Sequence, residues 1–422
     1  MPLEAAVAGK RVMFDYDAIV LGAGAAGLMA AIFAAERGRR ILLLEKNRKP
    51  GVKILMSGGT RCNITHHCDV RGIITAFGTN GKFLHSALAR FGPSDAVAFF
   101  EAEGVATKVE DTGKIFPVSD RALDVLNALV RRLERIGATL SLAEPATGLE
   151  PLSAGGFSVA TPKRSVTCEH VLITTGGLSY PGCGTTGDGY GFARQFGHTI
   201  RPTRPALVPL RTNAPWVAEL KGLTLPKVGL SVIDPSGRSL DSRHGSLLFA
   251  HFGLTGPAPL DVSRAVSGHE TPNALSVEID LLPGEPEAQV ERFLQDESIR
   301  QGKKQLAVVL AEKVQRRLAD ELLLRAGMPV DRRAAALGKD DRKKLAAAVK
   351  RLKVPLQGTL GYEKAEVTAG GVNLDEVDSR TMQSKLKPGL FFAGEVLDLD
   401  GWIGGFNFQS AWSTGHLAAQ HL

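Results

Sequence analysis

The run from Tyr16 to Lys46, YDAIVLGAGAAGLMAAIFAAERGRRILLLEK, reads as a strand, a tight turn, a helix and a second strand around Gly22-x-Gly24-x-x-Gly27. The apolar residues Ala18 to Leu21 suit a strand buried on both faces. Gly22 makes the turn, Gly24 lets a pyrophosphate approach the backbone, and Gly27 allows close packing of helix on strand. Ile41 to Leu44 supplies the next strand, and Glu45 ends it. From there its carboxylate can accept hydrogen bonds from both hydroxyls of an adenosine ribose and would repel a 2′-phosphate. The unit therefore favours FAD or NAD over NADP.

A chain of 422 residues exceeds a typical single domain, so two or three structural units are expected. No window reaches the run of about 18 apolar residues that a membrane span needs, and the first residues lack a signal peptide's apolar core. Four scattered cysteines do not make a disulfide framework, which points to a reducing, cytoplasmic setting. The net charge is +7, and residues 285–353 hold 17 Lys and Arg against 11 Asp and Glu. That segment could mark a nucleic-acid footprint, yet it contains one aromatic residue, Phe293, where single-strand readers use stacking platforms. A solvated helical face is the preferred reading. Its apolar residues Leu306, Val309, Leu310, Val314 and Leu318 recur at helical spacing, as they would on a packed face.

Along the chain, alternating strand and helix patterns predict an α/β, Rossmann-like domain. Helical spacing marks Phe91 to Glu103 and Asp120 to Ile136. Several short segments from Thr139 to Cys168 suggest a small antiparallel crossover, before a strand at His170 to Thr174 returns to the sheet. From about Arg201 short strands punctuated by Pro and Gly predict a β-rich insert. Helices follow at Ala288 to Leu294, Lys303 to Leu324 and Asp340 to Leu352. A last strand, Gly389 to Ala393, and a helix from about Asn407 complete the first domain. The expected division is 1–200 with 355–422 for the discontinuous dinucleotide domain, 201–284 for the insert and 285–354 for its helical subdomain.

Two further motifs narrow the cofactor. Gly51 to Thr65, GVKILMSGGTRCNIT, joins Lys53, Ser57, Gly58, Gly59, Arg61, Cys62 and Asn63 in a loop able to wrap phosphates and a ring edge. Phe392-Ala393-Gly394-Glu395 places an acid where it can hold the hydroxyls of a ribityl chain, which NAD does not possess. Gly404, Gly405, Phe406, Asn407, Phe408 and Gln409 then open a helix whose amino end suits the flavin edge that turns negative on reduction. Together they favour non-covalent FAD. Cys62, His66, His67 and Cys68 are poorly spaced for zinc, since adjacent His66 and His67 cannot easily both face one ion. No metal is expected, and a Cys62 to Cys68 redox pair lacks the usual C-x-x-C spacing.

With GAGAAGL, SGGTRCNIT, TTGGLSYPGCGTTGDGYGFARQFGH, LLFAHFGLTGPAPL, VTAGGV and FFAGEVLDLDGWIGGFNFQSAWSTG in order from residue 17 to 415, the chain resembles the BaiN/YhiN-like family of FAD flavoproteins. The resemblance implies a two-dinucleotide-type FAD domain interrupted by a β-rich insert with a helical subdomain. It implies that Gly22, Gly24, Ala25, Ala26 and Gly27 hold the pyrophosphate and Glu45 the ribose, with Lys46 and Lys53 nearby. Ser57, Gly58, Gly59, Arg61, Cys62 and Asn63 would face the phosphate and flavin, and Ala146 the adenine. Gly176 and Gly177 would close the return strand, Gly394 and Glu395 the ribityl side, and Gly404, Gly405, Asn407 and Gln409 the ring. GTRCN stands where GGRCN is usual, and GCGTTGDGY replaces a shorter serine-containing form. Activity is expected as an NAD(P)H-linked reductase of a small organic substrate, such as an activated C=C bond of a steroid-like acid. NADH or NADPH would bind transiently, since no second fingerprint exists. Acid/base candidates are His251, Tyr180 and Arg61, with the insert expected to cover the ring. The rival readings are a nucleic-acid-modifying flavoprotein, such as a tRNA modifier, and a non-catalytic flavin-binding regulator.

Overall fold

In the computed structural model, residues 13–422 are described. They form two compact units: the residues up to Thr203 with Thr368–Leu422, and Arg204–Val367. The boundaries fall at 203/204 and 367/368, so residues 355–367, expected in the first domain, belong to the second unit. Gly358–Thr359 explains why: it pairs with Leu210–Arg211 inside the second unit's sheet.

The first unit is built on β1 (Tyr16–Leu21), α1 (Ala25–Glu36), β2 (Ile41–Leu44), α2 (Val52–Thr60), β3 (Thr65–His66), β4 (Thr107–Val109), β5 (Lys114–Pro117), β6 (Thr139–Ser141), β7 (Gly148–Pro151), β8 (Phe157–Ala160) and β9 (Ser165–Ile173). Its main sheet runs β6-β2-β1-β9-β8-β7. β1 is parallel to both β2 and β9, with Ala18 opposite Ile41 and His170. The segment TLSLA begins with β6, which pairs parallel with β2 instead of starting an antiparallel crossover. The amphipathic helix Ala122–Arg135, burying Val125, Leu129 and Leu133, makes the parallel return possible. Within this sheet, among the described residues, only β7, β8 and the start of β9 pair antiparallel. The last strand, Leu390–Phe392, pairs parallel with the end of β9, so chain from the far terminus completes the sheet. The core beneath joins buried residues from Ala18 to Ala193 with those from Val372 to Leu422. It includes Trp412 of the C-terminal helix Phe406–Ala419, whose indole N–H donates to the Ile64 carbonyl at 2.9 Å.

The second unit holds a seven-stranded sheet in the order Leu352–Pro355, Ser276–Asp280, Thr224–Ile233, Ser239–Ala250, Gly253–Thr255, Leu210–Arg211 and Gly358–Thr359. Every neighbouring pair is antiparallel. Its helices include Glu287–Arg300, Leu306–Leu310, Arg316–Arg325 and Lys339–Lys350. Where the periodicity predicts one helix over Lys303 to Leu324, the chain breaks at Ala311 to Gln315. Leu306, Val309, Leu310, Val314 and Leu318 are nonetheless all buried, as helical spacing requires. Two short helices reach one core here, and with neither Gly nor Pro at the break the period alone conceals it. No helix among the described residues is long and apolar enough to cross a membrane.

Candidate functional site

The glycines of the first turn divide the labour by geometry. Gly22 has φ +106°, and a side chain there would stand 2.8 Å from the Thr174 carbonyl oxygen. A Cβ on Gly27 would stand 1.9 Å from the Gly22 carbonyl oxygen, so helix and strand meet at closer range than any other residue permits. Above Gly24 there is nothing within 4 Å. Gly24 caps α1 without a side-chain acceptor, which leaves the first-turn N–H groups of Ala25, Ala26 and Gly27 directed at this open space. A pyrophosphate fits these donors and this vacancy of side chains.

Glu45 is buried, and both of its oxygens are anchored. Oε2 accepts from the Ala23 N–H and Oε1 from the Asn47 N–H, each at 2.8 Å. A carboxylate has about four acceptor positions, so it can still take ribose hydroxyls. Beyond it, Lys46 Nζ reaches Thr186 and Asp188 at 2.5 and 2.6 Å, and Asn47 donates to the Cys183 carbonyl at 2.9 Å. The loop 180–188 is thus tied to the end of β2. Ala146 is partly buried in the β6–β7 loop, next to the buried Glu144. Burial pushes the Glu144 carboxyl up, but hydrogen bonds from Ser141, Arg164 and Thr161 more than reverse this and hold it at about 2. The Glu144 N–H in turn donates to the Glu45 carbonyl at 2.9 Å, so the bonded Glu144 braces the backbone at the end of β2.

Gly51 to Thr65, expected as one loop, is helical from Val52, and the end of α2 and the residues after it store backbone strain, with the helix broken at Ser57, Gly58 and Gly59. Gly58 and Gly59 have positive φ, and so do Thr60 (+70°) and Cys62 (+60°), where side chains disfavour it. Such non-glycine outliers cluster at ligand sites. Cys62 is fully enclosed, and burial pushes its thiol up to about 12, so it stays protonated at neutral pH. Arg61 ion-pairs with Glu110 at 2.7 Å and Asp120 at 3.4 Å and lies 3.9 Å over the Phe116 ring, anchoring the loop to β5. Ser57 donates to the Ile54 carbonyl at 2.8 Å. Asn63 is buried, and its Oδ1 has no hydrogen-bond partner among the described residues.

Across from this loop lies the amino end of the C-terminal helix. Gly404 (φ +130°) and Gly405 (φ +94°) turn the chain into it. His66 stacks on Phe406 at 4.5 Å, and its Nδ1 lies 2.9 Å from the Gly404 carbonyl, which assigns the N–H to Nδ1. Burial lowers the His66 pKa, so the imidazole is neutral at pH 7. Asn407 clamps the preceding loop, accepting from the Gly401 N–H at 2.8 Å and donating to the Gly401 carbonyl at 3.0 Å. Gln409 is fully buried, donates to Phe91 O and Ser413 Oγ, and accepts from Thr65. Both side chains thus position the helix from behind.

Glu395 closes the site. Its Oε2 pairs with Lys53 Nζ at 2.5 Å, and its Oε1 accepts from the Thr368 N–H at 3.0 Å. Gly394 has φ +75°, and a Cβ there would come within 2.8 Å of Ala26, so the acid is held against the start of α1. Gly177 packs as tightly, since its Cβ would stand 2.5 Å from Thr368 Oγ1 and 3.2 Å from Glu395. Gly176 (φ +73°) would meet Thr185 at 2.9 Å. One surface therefore offers, in order, a ribose acceptor, phosphate donors, a paired acid and lysine, and a helix dipole facing an unpaired amide oxygen. That sequence of groups suits FAD. A separate cleft of about 530 Å³ lies at the opposite, amino ends of β1, β2, β6 and β9, where Asp15, Arg40 and Arg164 are already bonded to protein groups.

The model of one protein family, the HI0933-like protein Rossmann domain, matches residues 16–421. The chain belongs to this family. HI0933-like proteins are FAD-dependent oxidoreductases, and this member has the Rossmann-type FAD-binding fold and is an enzyme of that class. Among its relatives, the ribosomal RNA dihydrouridine synthase of Escherichia coli is 37% identical over 413 residues, 97% of this chain and 98% of the relative. The 3-dehydro-bile acid delta(4,6)-reductase of Clostridium scindens is 30% identical over 409 residues, 95% of this chain and 97% of the relative. A solved 3-ketosteroid delta1-dehydrogenase from Sterolibacterium denitrificans superposes with a TM-score of 0.52 at 14% identity, covering 96% of this chain and 99% of that one. At that identity the likeness speaks for the fold alone.

In this HI0933-like chain, the fingerprint turn, Glu45, Lys46, Lys53, the 57–63 loop, Gly176, Gly177, Gly394, Glu395, Gly404 and Gly405 all belong to the first unit. Tyr180 is there too, partly buried and at φ +57°. His251 belongs to the second unit, exposed in the turn between Ser239–Ala250 and Gly253–Thr255, with its ring 5.0 Å from Phe252. Sequence reasoning missed Asn47, Thr368 and the positioning role of His66. Thr368 accepts from the N–H groups of Leu178 and Ser179, pinning the loop that follows β9. VTAGGV contains it, but nothing local in that motif shows what it touches.

Proposed function

We propose that this HI0933-like enzyme reduces a C=C bond conjugated to a carbonyl, and that the bond is C5=C6 of a uridine in ribosomal RNA. The observation that carries this is the 37% identity along nearly the whole of both chains with a ribosomal RNA dihydrouridine synthase. Uracil and a 4,6-dienone share one electronic pattern, an alkene polarised by a carbonyl, which accepts hydride at the carbon remote from it and a proton at the adjacent one. Reduced FAD, when bound, supplies the hydride equivalent, and NADH or NADPH is the proposed source of its electrons.

The chain's residues hold and shape that chemistry. Glu45, the α1 amino end and the Lys53–Glu395 pair would hold the cofactor along its length. The amino end of helix Phe406–Ala419 would favour negative charge on a ring edge placed against it. Cys62, held as a thiol of pKa about 12, is poorly disposed to form a thiolate in competition with the substrate. Tyr180, held in the left-handed region at the turn before Pro181, is the proposed proton donor. The relation to the bile acid reductase favours a second reading, a small steroid-like enone as substrate.

One experiment separates the two. The photoreduced holoenzyme is mixed anaerobically with transcribed ribosomal RNAs and, separately, with a 4,6-dien-3-one bile acid. A nucleoside gaining two hydrogens in the RNA digest, with reoxidation of the flavin, supports the uridine reading. Reoxidation by the dienone alone replaces it with the second reading, and NADH and NADPH are compared by the rate at which each bleaches the flavin.

A further inference from the structure

Helix Asp188–Gln195 ends on Gly197 at φ +84°, and the turn drops His198 into the first unit with its side chain fully enclosed. Its Nε2 lies 2.7 Å from Ser384 Oγ and its Nδ1 3.2 Å from Glu376 Oε2, the order of groups that activates a serine nucleophile. Here the serine attacks nothing. Ser384 is buried, and its oxygen already accepts from the Leu386 and Lys387 N–H groups at 3.1 and 2.9 Å. Those two bonds fill both lone pairs, so the hydroxyl hydrogen must be donated, and His198 Nε2 receives it. The ring hydrogen then stands on Nδ1 and goes to Glu376, which also accepts from the Thr199 N–H at 2.8 Å. The imidazole is thereby held neutral, in one tautomer. Glu376 and Ser384 belong to the segment between strands Val367–Val372 and Leu390–Phe392. Ser384 N–H donates to the Leu390 carbonyl at 2.7 Å and Phe392 N–H to the Met382 carbonyl at 3.0 Å, so residues 382–384 run beside the strand that leads into Gly394 and Glu395. His198 meets this strand too, edge-on to the Phe392 ring at 4.8 Å.

We propose that His198 is an acid-sensitive latch on segment 373–389, closed while the imidazole is neutral and opened by its protonation. A second proton has to sit on Nε2, where it faces an oxygen with no lone pair left and strands the serine hydrogen without an acceptor. Such unpaired buried groups are costly. Burial pushes the His198 pKa below its ordinary 6.5, against the charge of Glu376, which among the described residues is the charged group acting on the ring. Once the segment opens, the imidazole meets water and takes its proton at the ordinary value. The closed state therefore keeps its full advantage above pH 6.5 and loses it as pH falls below. The other charges nearby are engaged elsewhere: Arg201 with Asp375 at 3.8 Å, Lys385 with the Asp375 carbonyl at 2.9 Å, and Arg380 with Asp378 at 3.4 Å. Arg194, on the helix before His198, is exposed, and His421 bonds the Arg380 backbone. An open latch frees the neighbour of the last strand and so loosens the hold of Glu395 on Lys53. The latch is independent of which substrate the enzyme reduces.

The test is amide hydrogen exchange of the holoenzyme from about pH 7.5 to about pH 5.5, read on peptides covering 373–392 and corrected for the intrinsic pH dependence of exchange. Opening should rise as pH falls below 6.5, by at most about tenfold per pH unit because one proton is taken up. His198→Gln, which does not titrate, should make the opening independent of pH. A rise that persists in this variant points to His421, the other histidine on the segment, and overturns the proposal. Protection that stays flat in wild type overturns it as well, and that comparison does not depend on the variant folding. Release of FAD, followed by flavin fluorescence, should quicken over the same interval in wild type and not in His198→Gln. Opening of the segment without faster release overturns its link to Glu395.

Discussion

Gly24→Ala and Gly27→Ala, three positions apart, should fail in opposite ways. Gly24 has φ −82° and ψ −167°, which any residue adopts, and nothing lies within 4 Å of the Cβ that alanine would add. The apoprotein should therefore fold at least as well as wild type, with a gain of about 0.4 to 1 kcal/mol from the stiffer unfolded chain. That same methyl enters the space in which the pyrophosphate must lie. A clash of about 1 to 3 kcal/mol, as for an overpacked core, converts to roughly 5- to 150-fold weaker FAD binding. Alanine at Gly27 instead puts a methyl 1.9 Å from the Gly22 carbonyl oxygen and 2.7 Å from Thr174 Oγ1. Strand and helix must move apart, and the apoprotein should lose stability before cofactor is ever added. Thermal melts of both apoproteins and FAD titration of the Gly24 variant measure these effects. A Gly24→Ala protein that holds FAD as tightly as wild type would falsify the route of the cofactor over this turn.

Glu45→Gln should weaken FAD by about tenfold or more through lost charge-assisted hydrogen bonds, and destabilise the apoprotein because one buried N–H, at Ala23 or Asn47, loses its acceptor; unchanged titration curves would remove it from the ribose. Glu144 is held at about 2 against an ordinary 4.5, so it stabilises the fold above pH 4.5 and that contribution is lost as pH falls through 2. Glu144→Gln should lower stability at pH 7 and flatten the acid limb between those values, which denaturant midpoints across pH would reveal. His251→Ala should lower turnover at unchanged flavin content, since its exposed imidazole makes no hydrogen bond or ion pair among the described residues; full turnover on an identified substrate would leave it without a role.

What the sequence reveals of the site is what lies close together along the chain. The turn chemistry of Gly22, Gly24 and Gly27 is written within six residues, and Glu45 follows one helix later. The Lys53–Glu395 pair joins residues 342 positions apart, and neither motif hints that the acid's counter-ion is that lysine. Gln409 illustrates the reverse difficulty. A polar residue in the first turn of a glycine-led helix reads as a ligand contact, yet one helical position carries it into the core, where its amide is saturated. The fold was legible for a similar reason. Ile41 to Leu44 announces a parallel strand by composition, whereas the partner of TLSLA is settled by the helix before it. Residues 355–367 carried no signal of which sheet would claim them. The scarcity of aromatic residues in 285–353 speaks only about that segment, so it weighs little against an RNA substrate approached through the flavin unit.

The last strand and the C-terminal helix give this site a schedule. Glu395, Gly404 and Gly405 are translated roughly 330 residues after Asn63, a delay of about 20 to 60 seconds at the usual rates of synthesis. Throughout that interval β9 lacks its partner Leu390–Phe392, and α1 lacks the helix that packs against it at Gly415 and Ala26. A nascent chain holding the whole fingerprint would still lack Glu395, the partner of Lys53, and the helix amino end at Gly405. The finished site therefore exists only after the intervening second unit has been made.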